Sequence, residues 1–283
     1  PMLSLIVRKI MSSSAYALSY TLQCFIERLD HYKATGELLS ALSTIENDYE
    51  VSQDDEKAEV NEGVNPAISD AIDYEIAELK MYQEQAKSIV NETKAKQLLV
   101  ALDKTFQKNE MLGAPRKALI FTESRRTQEY LKNFLQNNGY NGKVVCFNGS
   151  NNDEDSKSIY RKWLSLYAGS KRISGRTIID RKQSLVDYFR TDAEIMIATE
   201  SGAEGINLQF CSLLVNYDMP WNPQRIEQRI GRCHRYGQKF DVVVVNFVNQ
   251  LNYADCRVYE LLNDKFNLFD GVFGSSDEVL GSI

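Results

Sequence analysis

Residues 197–238 read IATESGAEGINLQFCSLLVNYDMPWNPQRIEQRIGRCHRYGQ, and this stretch decides the fold. Ile195 to Ala198 is a short apolar run that meets a Thr-Glu-Ser-Gly turn. A buried parallel strand hands over to a loop and then a helix in this way. Leu213 to Asn216 reads as a second buried strand, Tyr217 to Pro223 as a proline-bounded loop, and Gln224 to Arg235 as a helix. Gly202 and Gly205 in the first turn leave backbone amides open to a phosphate.

The helix is chemically unusual. It carries Arg225, Arg229, Arg232 and Arg235, with Gln228 and His234 among them and Glu227 as its one acid. Arg225, Arg229 and Arg232 follow an i, i+4, i+7 row, and Arg232 and Arg235 lie one turn apart. A solvated helix mixes in acids. Guanidinium groups suit bidentate phosphate recognition and the neutralisation of charge in phosphoryl transfer. Gly231 lies inside the helix despite its cost in stability.

Working outward, Ala118 to Phe121 and Val144 to Phe147 read as strands, with exit turns at Thr122-Glu123-Ser124 and Asn148-Gly149-Ser150. Arg125 to Asn138 reads as a helix closed by Gly139, Val242 to Val248 as a last strand, and Tyr253 to Phe266 as a last helix. Repeated strand–turn–helix units imply a parallel sheet with helices on both faces, and ligands in such sheets lie beyond the carboxyl ends of the strands. The exit turns after Phe121, Phe147 and Ala198 all fall there.

Before residue 113 the pattern is helical. Leu3, Ile6, Val7 and Ile10 share a face, and the Ser12-Ser13-Ser14 break offers an N-cap for a helix striped by Leu18, Leu22, Phe25, Ile26 and Leu29. Residues 46–64 are an acidic loop. Asn65-Pro66 starts a helix carrying Ile68, Ile72, Ile76 and Leu79, and Thr93 starts another carrying Leu98, Leu99, Leu102 and Phe106, stopped by Gly113. The division is therefore an all-helical region, 1–113, and an α/β region, 114–283. The latter holds an insertion at about 153–183 and an extension from about 267. The insertion's basic run, Lys171 to Arg176, fits either a nucleic-acid backbone or a charged loop.

The 283 residues are 43% hydrophobic with a net charge of −6, enough for a real core and too acidic for a uniformly basic coat. Five scattered cysteines with no CxxC pair suggest neither a zinc site nor a disulfide frame. With no membrane-length apolar run and no signal-like block, a cytoplasmic location is expected.

Gln228-Arg229-Ile230-Gly231-Arg232-Cys233-His234-Arg235 resembles motif VI of superfamily 2 helicases, and Thr199 to Leu208 resembles their motif V. The Trp221-Asn222-Pro223 loop and the ending His234-Arg235-Tyr236-Gly237-Gln238 resemble the Swi/Snf-type branch, and within it the bacterial ATPases related to the RNA-polymerase-associated RapA. The resemblance covers Lys117 to Val248. It implies the second RecA-like (P-loop NTPase-like) lobe of a two-lobed DNA translocase or remodeller. Arg232 and Arg235 would be arginine fingers supported by Gln228, and Gly202, Glu204, Gly205 and Asn207 would approach the nucleotide. The family often has Asp where Asn207 stands. Thr122, Ser124, Asn148, Gly149 and Thr199 would touch a nucleic-acid backbone, with double-stranded DNA expected. The implied cofactors are ATP and Mg²⁺, and the implied protein partner is RNA polymerase or another complex.

No GxxxxGK[ST] loop and no DExx box after a strand occur, so this chain alone is expected to hold no ATP or Mg²⁺ and to be inactive without an N-terminal lobe. Two other readings compete. One is a non-catalytic protein- or nucleic-acid-interaction module on a degenerate lobe, against which the complete arginine cluster speaks. The other is a nucleotide-binding oxidoreductase or transferase, against which the missing GxGxxG speaks.

Overall fold

A computed structural model of the chain describes residues 13–35, 69–89, 92–250 and 252–269, the last seven of these by backbone only. Helices α1 (Ala15–Thr35), α2 (Ser69–Ser88) and α3 (Thr93–Met111) precede the sheet. The alternating part follows as β1 (Ala118–Phe121), α4 (Arg125–Leu135), β2 (Val144–Phe147), α5 (Glu154–Leu166), α6 (Thr177–Thr191), β3 (Ile195–Ala198), the single turn α7 (Glu200–Ala203), β4 (Leu213–Asn216), α8 (Pro223–Cys233), β5 (Val243–Asn246) and α9 (Tyr253–Phe269). The five strands form one parallel sheet in the order β2-β3-β1-β4-β5.

Strand alternation sorts the core into two layers. Leu119, Phe121, Val145, Phe147, Met196, Ala198 and Leu214 face α6, where Leu185, Val186 and Phe189 are buried, and this layer also takes Ile206, Leu208 and Cys233. Ala118, Ile120, Val144, Ile195, Ile197, Leu213 and Val215 face the other way, onto Leu98, Leu102 and Phe106 of α3 and Leu131 and Leu135 of α4. Leu98, Leu102 and Phe106 are fully buried, each contributing about 1.5–3 kcal/mol. By its packing α3 is thus a layer of the sheet, although it lies before residue 113. Ile26 of α1 and Ile72 and Ile76 of α2 make a separate small core, while Met219, Ile226, Val258 and Leu262 join α8 to α9.

Local signals explain most boundaries. Ser14 caps α1 by accepting from the Ala17 amide at 3.1 Å, and Ser124 caps α4 by accepting from Arg126 and Thr127. Asn222 caps α8 with Pro223 at its first position. The helix expected to run to Asn138 ends instead at Leu135 and closes in a wide turn through Tyr140, in which Gly139 takes φ +100. Other boundaries differ by a few residues: α8 runs from Pro223 to Cys233 rather than from Gln224 to Arg235, β5 is narrower than the run Val242 to Val248, and α9 continues past Phe266 to Phe269. The expectations for residues 3–12, 36–68 and 270–283 fall outside the described residues, among them the acidic loop, the Asn65-Pro66 start and most of the extension.

Candidate nucleotide and nucleic-acid site

The carboxyl edge of the sheet is organised by two buried charged side chains, Asp218 just past β4 and Arg229 in α8. Asp218 Oδ2 accepts from Thr122 Oγ1 at 2.6 Å, Ser13 Oγ at 2.7 Å and the Glu123 amide at 3.1 Å, and Lys94 Nζ lies 2.9 Å from Oδ1. Lys94 also sits 4.1 Å over the Tyr217 ring. One carboxylate thereby joins the exit of β1, the start of α3 and Ser13, two residues before α1. A buried carboxylate persists only when paired and hydrogen-bonded, and this one is both.

Arg229 is 1% exposed. Its Nε and Nη2 lie 2.8 and 2.7 Å from Glu200 Oε2, its Nη1 donates to Asn216 Oδ1 at 2.8 Å and to the Asp218 carbonyl at 3.0 Å, and its guanidinium lies 4.7 Å over the Phe121 ring. Burial pulls its pKa down, and the Glu200 carboxylate opposes that shift. The arginine row read from the sequence is therefore split: Arg229 is an internal anchor and cannot reach a phosphate.

The far end of α8 is pinned differently. The Arg232 carbonyl accepts from the Leu208 amide at 2.9 Å. Gln238 Nε2 donates to the carbonyls of Cys211 and Cys233, while its Oε1 accepts from the amides of Lys239 and Phe240. The loop holding Gly205 and Asn207 thus runs beside the last turn of α8. Arg235 is exposed, with Nε donating to the Gly231 carbonyl at 3.1 Å, and Arg232 is half-exposed. Gln228, Glu204, Gly205 and Asn207 are exposed as well. Gly205 has φ +78 and open space where a Cβ would be, so a glycine is required there and its backbone is approachable.

The helicase conserved C-terminal domain matches residues 162–237. The ATP-dependent helicase YqhH of Bacillus subtilis is 41% identical over 167 residues, which are 59% of this chain and 25% of that protein. Helicase SWR1 of Saccharomyces cerevisiae is 30% identical over 164 residues, 57% of this chain and 9% of that protein. This chain carries a helicase conserved C-terminal domain, and the relatives it resembles are ATP-dependent helicases of the Swi/Snf type. It spans a quarter of the length of the B. subtilis relative. Among solved structures, the C-terminal part of the Fun30 ATPase domain aligns with a TM-score of 0.42 at 19% identity, over 90% of this chain and 84% of that one. The five-stranded parallel sheet with helices on both faces agrees with the RecA-like fold expected from the sequence.

Within the helicase lobe the expected site residues fall into two groups. Gln228, Arg232, Arg235, Glu204, Gly205 and Asn207 face solvent wholly or in part along α8 and the loop beside it. The nucleic-acid candidates are mostly enclosed. Thr122, Ser124 and Thr199 are at most 1% exposed and Asn148 is 6% exposed, whereas Gly149 is open. Thr122 serves Asp218 and Ser124 caps α4. Asn148 Nδ2 donates to Gln128 Oε1, while its Oδ1 accepts from Ser150 and from the Asn151 amide. Gly202 is explained by packing: a Cβ there would lie 2.6 Å from Asn148 Cα and 2.7 Å from the Phe147 carbonyl oxygen. The glycine lets α7 press on the exit of β2.

Asp218, Glu200, Asn216 and Gln128 were not singled out by sequence reasoning. Gln128 Nε2 donates to the carbonyls of Phe147 and Ile197, tying α4 to two strand ends. Asn216 and Asp218 flank Tyr217 at a strand exit, which is the one signal that could have marked them.

Proposed function

We propose that this lobe is the second half of a nucleic-acid-dependent ATP motor, a duplex-DNA translocase or remodeller of Swi/Snf type. The observation that carries the reading is the division of labour along α8. Arg229 is buried and locks the helix to the sheet, which leaves Gln228 and Arg232 projecting from a helix tied down at both ends, with Arg235 exposed just past its last turn. Fixed guanidinium groups facing outward suit a charge that is brought to them. ATP with Mg²⁺, when bound with a first lobe, supplies the phosphoryl group that is transferred to water. Arg232 and Arg235 stabilise the charge that develops on it, Gln228 supports them, and the approachable backbone of Gly205 with Asn207 and Glu204 borders the nucleotide.

The solvent-exposed turn at Gly149 meets the nucleic-acid strand, and the enclosed Thr122, Ser124, Asn148 and Thr199 hold the strand-exit turns in shape for that contact. The likeness to RapA-type ATPases extends the proposal to RNA polymerase or another complex as protein partner and to a cytoplasmic location. Among the described residues, no helix is long and apolar enough to cross a membrane. ATP turnover by the full-length protein, with and without duplex DNA, tests the reading. Strong stimulation by the duplex is expected, and turnover indifferent to nucleic acid would overturn it.

A further inference from the structure

Between Lys157 and Lys182 the chain carries eight lysines or arginines and one acid, a local charge of +7 in a protein whose net charge is −6. This segment covers most of α5, the connecting loop and the first turns of α6. Its one acid, Asp180, is 2% exposed and turned inward. Asp180 accepts from the Ser174 amide at 2.9 Å, from Ser174 Oγ at 2.7 Å and from the Gly175 amide at 3.1 Å, and these bonds fold the loop. Trp163 Nε1 donates to Asp187 at 2.8 Å, and Arg172 reaches the same carboxylate at 3.3 Å while lying over the Tyr167 ring. The hairpin is thus built by its acids, and its remaining cations are left at the surface. Among the described residues, no carboxylate lies within ion-pairing distance of Lys162, Lys171, Arg176 or Lys182; the first three are exposed.

The cations continue toward the exit turn of β2. Arg181 donates to the Asn151 carbonyl at 3.3 Å and to Asn152, and Arg125 donates to Ser150 Oγ at 3.2 Å, so the turn that contains Gly149 is flanked by guanidinium groups. We infer that the α5–α6 hairpin is a second contact for the nucleic-acid backbone, with Lys171, Arg176 and Lys182 meeting phosphates beyond the Gly149 turn. Unpaired cations contiguous with one strand-facing turn match a polyanion of regular charge spacing. The inference rests on the motor reading for the turn itself, and it adds a site that the helicase motifs do not contain.

The test is binding of a fluorescein-labelled short DNA duplex to the full-length protein over a range of salt concentrations. Lys171→Gln, Arg176→Gln and Lys182→Gln together should weaken binding at least ~10-fold and flatten the plot of log affinity against log salt by about 2–3, close to ~0.9 for each phosphate no longer neutralised. The swap Lys171→Arg, Arg176→Lys and Lys182→Arg should restore the slope. Neutralising the exposed Lys80, Lys96 and Lys104 should leave the slope as in the parent, which separates a site from bulk charge. If the hairpin triple variant keeps the parent slope while the duplex still stimulates ATP turnover, the hairpin inference fails alone and an acidic protein is the partner of that surface. If the parent protein binds no duplex at low salt, the motor reading fails with it.

Discussion

Arg229→Ala should unfold the lobe more easily without touching any group proposed to meet ATP. The substitution removes the ion pair to Glu200, the donors to Asn216 Oδ1 and the Asp218 carbonyl, and the contact with the Phe121 ring. Breaking a buried pair from one side costs ~3–5 kcal/mol, because the remaining charge is left without its partner. The Glu200 side chain is 28% exposed, so water recovers part of its solvation and the expected loss is about 2–4 kcal/mol. That is a large part of the ~5–15 kcal/mol of a folded domain. In urea the midpoint should fall by about 1–2 M, taking a slope of ~2 kcal/mol/M. Adding Glu200→Gln to the variant should recover stability, because the stranded charge is then gone. Arg232→Ala, at a half-exposed position, should stay within ~0.5 kcal/mol of the parent. A loss below ~1 kcal/mol for Arg229→Ala, or one shared equally by Arg232→Ala, would refute the division of α8 into an anchor and projecting arginines.

Two further expectations follow from the same geometry. Gly202→Ala brings a Cβ to within 2.6 Å of the Asn148 backbone and should cost ~1–3 kcal/mol by urea unfolding, whereas alanine at the open helical position Gly231 should be neutral or stabilising. Glu92, which accepts from the Ala15 amide, has its pKa raised by burial. A carboxyl whose pKa is raised in the folded state contributes fully below its unfolded pKa and loses that contribution as pH rises through the folded one. The melting temperature of Glu92→Gln relative to the parent should therefore climb between mildly acidic pH and pH 8, and a constant difference would show that Glu92 is not held in this way.

The strands were legible because each is a short apolar run closed by polar turn residues. Ala118–Phe121, Val144–Phe147, Ile195–Ala198 and Leu213–Asn216 have the bounds their sequence predicts. Parallel strands covered on both faces need no alternation, and none is present. The arginine row was legible as a row and no further, because helical spacing does not say which face turns inward. What buries Arg229 is Glu200 and Asn216, 29 and 13 residues away, and neither is marked by its own surroundings. Asp218 was hidden for the same reason, since Ser13, Lys94 and Thr122 lie 205, 124 and 96 residues from it. Gly202 has the composition of a phosphate-binding turn and the environment of a packing contact, and only the position of Asn148 distinguishes the two. In the insertion, the basic run was visible while the inward turn of Asp180 that leaves it unbalanced was not.

The proposed motor requires that Arg232 on α8 and Arg235 just past its end meet a transferring phosphoryl group. Steady-state ATP turnover of the full-length protein at saturating duplex DNA, for the parent and Arg235→Ala, measures this directly. Loss of an arginine finger lowers turnover by ~10³–10⁵ in well-defined cases, and a fall of at least ~10-fold with an unchanged urea midpoint is predicted here. Equal turnover in parent and variant would contradict the assignment.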